Sequence, residues 1–60
     1  MDDVLVRVMA EAMAKWSSGC GLDELQPHDE PNADAYMTMA REALIALRIN
    51  GWDVVPRGDA

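Results

Sequence analysis

The stretch NADAYMTMAREALIALRING, residues 32–51, decides the fold because its apolar residues recur with the period of a helix. At about 100° per residue, one continuous face collects Ala33, Tyr36, Met37, Met39, Ala40, Ala43, Leu44 and Leu47. Asn32 suits the N-cap of such a helix, and Gly51 suits the position after its last turn. The stretch therefore predicts a helix over residues 33–50, with Leu47 near the centre of its buried face.

A first helix is predicted over residues 3–16, with Asp2 or Asp3 as its cap. Its apolar face comprises Val4, Leu5, Val8, Met9, Ala12, Met13 and Trp16. Three further apolar residues extend beyond that half of the helix: Val6, Ala10 and Ala14. Charged residues keep only a narrow strip, in which Glu11 and Lys15 form an i,i+4 pair in the favourable order. A helix so apolar all round is expected to have more than one neighbour.

The connection between the helices is acidic and contains prolines. Leu22 and Leu25 bracket two acids in it, so we expect one helical turn that tucks both leucines under the helices. Pro27 and Pro31 exclude a long helix there. We therefore predict an all-α fold, a single small domain over residues 1–60. It is an antiparallel two-helix hairpin with an acidic connection and an extended C-terminal tail whose last residues are loose.

The small size of the chain limits how it is stabilised and what it can do. A core of this size seldom provides more than about 3–5 kcal/mol. Cys20 is the single cysteine, so no internal disulfide forms, and with His28 it does not complete a four-ligand zinc site. A cysteine nucleophile also needs a positioned base and an orienting third group. We predict a turn residue at Cys20, no enzyme activity, no cofactor, and added stability from association.

The N-terminal residues lack the features of a signal peptide, since Arg7 and Glu11 interrupt the apolar run. No stretch approaches the roughly 20 apolar residues of a membrane span. The lone cysteine fits a reducing compartment. We expect a cytoplasmic protein that does not associate with membranes.

Charge is concentrated in the connection. The chain has eleven acids against five basic residues, and residues 20–34 hold five acids without any Lys or Arg. Nucleic-acid binding needs cations that displace counterions from phosphates, so we expect no direct nucleic-acid binding and a protein partner with a basic patch. The acids do not follow the ligand spacing of an EF-hand loop. The acids assigned to partner binding are Asp23, Glu24, Asp29 and Glu30.

Two isoleucines interrupt the polar side of the second helix. Ile45 and Ile49 lie one turn apart at about 180° and 220° from Tyr36, and Trp52 and Val54 follow in the tail. Either the tail folds back over the isoleucines, or these residues face another chain. We assign all four to a candidate protein-binding patch.

The order of these segments resembles a known group of proteins. The pattern Ala40-Arg41-x-Ala43-Leu44-x-Ala46-Leu47, followed by Gly51-Trp52-x-Val54-Val55-Pro56, is similar to small helical proteins of bacteriophages and integrated mobile elements. Those proteins often carry A-R-x-A-L-x-A-L and then G-[WY]-x-V-V-P. This chain departs from them in its longer acidic, proline-punctuated connection. The resemblance implies mobile-element biology, in which tiny acidic helical proteins bind and disable a regulator.

These observations predict a non-enzymatic binding protein that sequesters or inhibits a regulatory protein, in the manner of an antiactivator. The alternative is a structural or assembly protein that functions by self-association, and a homodimer is compatible with both. An acidic mimic of nucleic acid is a weaker alternative, because the acids cluster in one loop instead of following a phosphate-like line.

Overall fold

Two α-helices and one short 3₁₀ turn form the regular structure of the chain. The computed structural model describes residues 2–55 and 57. Helix α1 runs over Asp2–Ser18, the 3₁₀ turn over Leu22–Glu24 and helix α2 over Ala33–Ile49. The predicted all-α hairpin is confirmed. α1 begins one residue earlier and ends two residues later than predicted, and α2 ends one residue earlier.

The tail after α2 has no regular structure as far as Val55, and its side chains are exposed there. Pro56 and residues 58–60, which belong to the predicted tail, lie outside the described residues. So does Met1.

Backbone geometry explains where the helices end. Asn32 caps α2 as predicted, and its Oδ1 accepts a hydrogen bond from the Ala35 N–H at 3.0 Å. Gly19 takes φ +77° after α1, and its N–H donates to the Lys15 carbonyl at 3.0 Å. Glycine adopts this left-handed conformation without the steric cost of a Cβ. Neither Asp2 nor Asp3 caps α1 as predicted, since both lie within the helix.

A Schellman motif ends α2. Gly51 takes φ +88°, its N–H donates to the Arg48 carbonyl at 3.1 Å, and the Trp52 N–H donates to the Leu47 carbonyl at 2.9 Å. This pair of hydrogen bonds satisfies carbonyls that the helix leaves open. It also fixes the backbone of Trp52 against the end of the helix.

An ion pair marks the register between the helices. The Arg48 Nη1 donates to the Asp2 Oδ2 at 2.7 Å, and Nη2 donates to Oδ1 at 2.9 Å. The start of α1 therefore lies beside the end of α2, which makes the hairpin antiparallel. Steps of four residues from this pair place three further pairs opposite each other: Val6 with Leu44, Ala10 with Ala40, and Ala14 with Tyr36.

All six of these residues are buried, and with Leu22 they form the core. We call Val6, Ala10 and Ala14 the core row of α1. The alanines in the seam are fully buried, and small side chains allow helix axes to approach closely. Partly buried residues pack around this core: Leu5, Met9, Met13, Leu25, Ala33 and Met37. The 3₁₀ turn thus tucks Leu22 and Leu25 under the helices, as predicted.

The helical faces differ from the prediction in two ways. The core row of α1 is made of the residues expected at the margin of its face, whereas Val4, Val8, Ala12 and Trp16 are exposed. Leu47, expected at the centre of the α2 face, is 38% exposed, and Met39, expected on the same face, is 44% exposed. Because α1 begins beside Arg48, Leu47 lies where the helix pair ends and has little of α1 to cover it.

Candidate protein-binding surfaces

Several acids of the connection form hydrogen bonds within the connection or to α1. Asp23 Oδ1 accepts a hydrogen bond from Arg7 Nη2 at 3.0 Å, which ties the 3₁₀ turn to α1. Glu24 Oε1 accepts from the Gly21 N–H at 2.9 Å, and Asp29 Oδ2 accepts from the backbone N–H three residues before it at 2.6 Å. Asp23, Glu24 and Glu30 remain exposed. Asp23, Glu24 and Asp29 therefore have a structural role that was not expected from the sequence.

Glu11 anchors the connection from the side of α1. Its Oε1 and Oε2 lie 3.3 and 3.4 Å from the Leu22 backbone nitrogen, whose N–H donates to them. A Cβ added to the buried Gly21 would lie 2.5 Å from Oε1, so a larger residue there would displace the Glu11 carboxylate from its contact with the Leu22 N–H. The predicted pair with Lys15 is also present, at 4.0 Å. The charged strip of α1 is thus the side on which the connection lies.

The Asp2–Arg48 pair is the strongest electrostatic contact between the helix ends. Its two parallel hydrogen bonds form the bidentate geometry in which arginine binds carboxylates best. The hydrogen bond from Arg48 lowers the pKa of Asp2 below its ordinary value, and the hydrogen bond to Asp2 raises the pKa of Arg48. The sequence predicted helix ends at both positions, but not this contact.

The four apolar residues assigned to binding are exposed. We call Ile45, Ile49, Trp52 and Val54 the C-terminal patch. Ile49 is 78% exposed and Trp52 is 68% exposed. Of the two alternatives left by the sequence, the tail therefore does not cover Ile49. The acids of the connection belong to another part of the hairpin, since they follow α1 and precede α2, whereas the patch follows the end of α2.

A second apolar surface runs along the outside of α1. Its members are spaced by four residues and turn away from α2: Val4, Val8, Ala12 and Trp16. We call this set the outer stripe. Trp16 is 91% exposed. These residues were predicted to lie in the core, so an exposed apolar surface on α1 was not expected from the sequence. The signal that points to it is the surplus of apolar residues on α1, which is more than one neighbour can cover.

A groove opens where the outer stripe meets the start of α2. It has a volume of about 530 Å³ and is lined by Ala12, Met13, Trp16, Ser17, Pro31, Tyr36 and Met39. The ring of Tyr36 is buried, and its hydroxyl has no hydrogen-bond partner among the described residues. A buried hydroxyl without a partner is costly. The groove is mainly apolar and open to solvent along one side.

The remaining candidate features are the thiol of Cys20, clusters of metal-binding side chains and membrane-spanning helices. Cys20 is half-buried, and its backbone N–H donates to the Ser18 hydroxyl. Within residues 2–55 and 57, no group of three or more His, Cys, Asp or Glu side chains is arranged to hold a metal ion. In the same residues, neither helix is long and apolar enough to cross a membrane.

The chain was compared with known protein families, curated proteins and solved structures. No protein-family model, curated protein or solved structure matches the chain. The similarity to phage and mobile-element proteins therefore remains a prediction from the sequence motif.

Proposed function

We propose that this protein is a non-enzymatic binding module that holds another protein through the C-terminal patch. The observation that carries the proposal is the display of Trp52 and Ile49. Both side chains are largely exposed at the end of α2, where the Schellman motif fixes the backbone. An aromatic anchor beside aliphatic side chains is the usual composition of a binding hot spot. Because the Trp52 backbone is already ordered, binding loses less conformational entropy.

The charge of the chain supports a partner with basic residues around its contact site. Eleven acids face five basic residues in the sequence, and Asp23, Glu24 and Glu30 are exposed. Charges at the rim of an interface mainly accelerate association and select the partner. We propose that the partner is a regulatory protein in the cytoplasm and that binding sequesters or inhibits it. This last step rests on the mobile-element motif of the sequence.

A capture experiment from the native host tests the proposal. The wild-type protein is compared with Ile49→Lys, which adds a charge to the patch, and with Thr38→Lys, which adds one to an exposed polar position of the same helix. Desolvating an ammonium group in an interface is costly, so Ile49→Lys should lose the partner and Thr38→Lys should retain it. Equal capture by all three proteins would contradict the proposal.

A different variant is needed to test whether the acids of the connection contribute to binding. Asp23, Glu24 and Asp29 hold the connection, so neutralising them would disturb the fold as well as any interface. Glu30→Gln is the cleaner change, because no described backbone or side-chain hydrogen bond depends on that carboxylate. If charge steers a basic partner, the association rate should fall with rising salt and should be slightly lower for Glu30→Gln. An association rate that does not depend on salt would show that the acids do not steer the partner.

Self-association as the function is a second candidate, favoured by the outer stripe. It differs from the first in the surface that it uses, since the stripe lies on α1 and the patch lies at the end of α2.

A further inference from the structure

The outer stripe is one row of apolar side chains on the side of α1 that faces away from α2. Val4, Val8, Ala12 and Trp16 are all exposed, and they follow one another at four-residue intervals along most of the helix. Contiguous exposed apolar surface of this kind marks an interaction site more often than isolated residues do. The charges beside the stripe indicate what binds it.

A charged row lies directly beside the outer stripe. It consists of Asp3, Arg7, Glu11 and Lys15, each one residue before a member of the stripe, and its charges alternate in sign. When two copies of this row run antiparallel, Asp3 faces Lys15 of the second copy and Arg7 faces its Glu11. Every opposed pair then has opposite charges. When two copies run parallel and in register, each residue faces its own equivalent and every pair repels.

We propose that the outer stripe binds a second copy of this chain, with the two α1 helices packed antiparallel about a two-fold axis. This proposal specifies the geometry of the self-association named as the second candidate function, and it uses a different surface from the C-terminal patch. The same axis brings Trp16 beside Val4 and Ala12 beside Val8, each offset by about two residues along the helix, so that each larger side chain lies next to a smaller one. Pairing along most of α1 requires helices that lie nearly side by side, the packing class with a crossing angle of about 20°. A two-fold interface uses the same patch on both copies, which explains a self-complementary charge pattern.

The new pairs have to share groups with contacts inside one chain, most of all at Glu11, whose carboxylate also accepts the Leu22 N–H. Arg7 donates to Asp23 from Nη2, and a guanidinium has five N–H donors. Both partners of that ion pair are largely exposed, so the pair itself contributes little and can be shared. The Lys15 ammonium lies 4.0 Å from Glu11 Oε1, and Asp3 is exposed on the first turn.

Dimerisation through α1 would have a consequence for partner binding. The outer stripe and Ile49 lie on sides of the hairpin that face away from each other, because each is turned away from the opposite helix. The dimer therefore presents two C-terminal patches on its outer sides. A regulator that is itself dimeric could engage both patches at once, which raises its overall affinity without any new contact.

Sedimentation of the purified full chain over micromolar to millimolar concentrations tests the interface. The wild-type protein should form a dimer whose dissociation constant rises on the order of tenfold or more with Val8→Glu, since a carboxylate would be buried there. Thr38→Glu, on the exposed side of α2, is the matched control and should dimerise like the wild type. Circular dichroism establishes that both variants stay helical. A wild type that is monomeric throughout, or a dimer indifferent to Val8→Glu, would overturn the proposal.

Exchanging charges tests the antiparallel register even if Val8→Glu unfolds the chain. Asp3→Lys and Lys15→Glu should each weaken the dimer by about tenfold, because each places like charges opposite each other twice in the dimer. The double variant restores opposite charges and should recover most of the affinity. The Glu11–Lys15 contact is absent from the double variant, so it cannot explain the recovery. Single variants without effect, or a double variant weaker than both, would overturn the register.

Discussion

The two apolar rows of α1 have the same spacing but opposite environments. The core row, Val6, Ala10 and Ala14, is buried against α2, whereas the outer stripe, which includes Val8 and Trp16, faces solvent. The buried row has the smaller side chains, and small residues let two helices approach closely. The charged strip between the rows carries the contacts to the connection through Glu11 and Arg7. Side-chain size and polar anchoring, more than hydrophobicity, therefore distinguish the inside of this helix from its outside.

The largest expected effect concerns the position of the core on α2. Leu44 is buried and Leu47 is 38% exposed at the end of the helix pair. Leu44→Ala should cost about 2–5 kcal/mol, enough to unfold a domain of this size. Leu47→Ala removes the same atoms from a more exposed site and should cost clearly less. Urea or thermal denaturation followed by circular dichroism measures both, and equal losses would show that the helix end is covered.

A second test compares the two rows of α1 directly. Ala10 is fully buried in the seam, and Ala12 is exposed in the outer stripe. Ala10→Leu should destabilise the hairpin by about 1–3 kcal/mol, because the added atoms force the helices apart. Ala12→Leu should change the free energy of unfolding of the monomer by less than about 0.5 kcal/mol. Chemical denaturation at low protein concentration compares them. Similar destabilisation by both substitutions would contradict the assignment of Ala10 to the buried row and Ala12 to the exposed row.

Much of the fold could be predicted from the sequence, because its signals are local. The period of α2, the cap at Asn32 and the turn at Gly51 depend only on neighbouring residues, and the structure confirms them. Which row of α1 faces inward depends on contacts across the hairpin. Glu11 binds the Leu22 backbone, eleven residues away, and Asp2 binds Arg48, 46 residues away. Helical periodicity carries no information on such pairs.

For the same reason, the C-terminal patch was predicted from the sequence and the outer stripe was not. The C-terminal patch was found because Ile45 and Ile49 lie on a side of α2 that is otherwise polar. The outer stripe was missed because an apolar residue on an apolar helix looks like core wherever it lies. Trp16 is the clearest example, since a large aromatic side chain is 91% exposed. Exposure of that kind becomes visible only when the partner helix is in place.

A smaller effect is expected from the unpaired hydroxyl of Tyr36. The ring belongs to the core, but the Oη atom is buried and lacks a hydrogen-bond partner in the part of the chain that the structure describes. Tyr36→Phe removes a desolvated polar atom and keeps the ring, so stability should be unchanged or higher by up to about 1 kcal/mol. Thermal unfolding of Tyr36→Phe and of the wild type checks this, and a large loss with Tyr36→Phe would reveal a partner for the hydroxyl.

The smallest effect concerns the ion pair between Asp2 and Arg48. Because the hydrogen bond from Arg48 lowers the pKa of Asp2, the folded state binds this proton less tightly than the unfolded state does. The pair therefore stabilises the fold above the ordinary pKa of the carboxyl, and its contribution is lost as the pH falls through the lowered pKa, below about pH 4. Asp2→Asn should reduce stability slightly at neutral pH and have a smaller effect in acid. Asp3→Asn, one residue further along the same turn, is the matched control for interaction with the helix dipole. Denaturation of dilute protein across this pH range makes the comparison. If the two asparagine variants behave alike at every pH, the contact with Arg48 does not contribute to stability in solution.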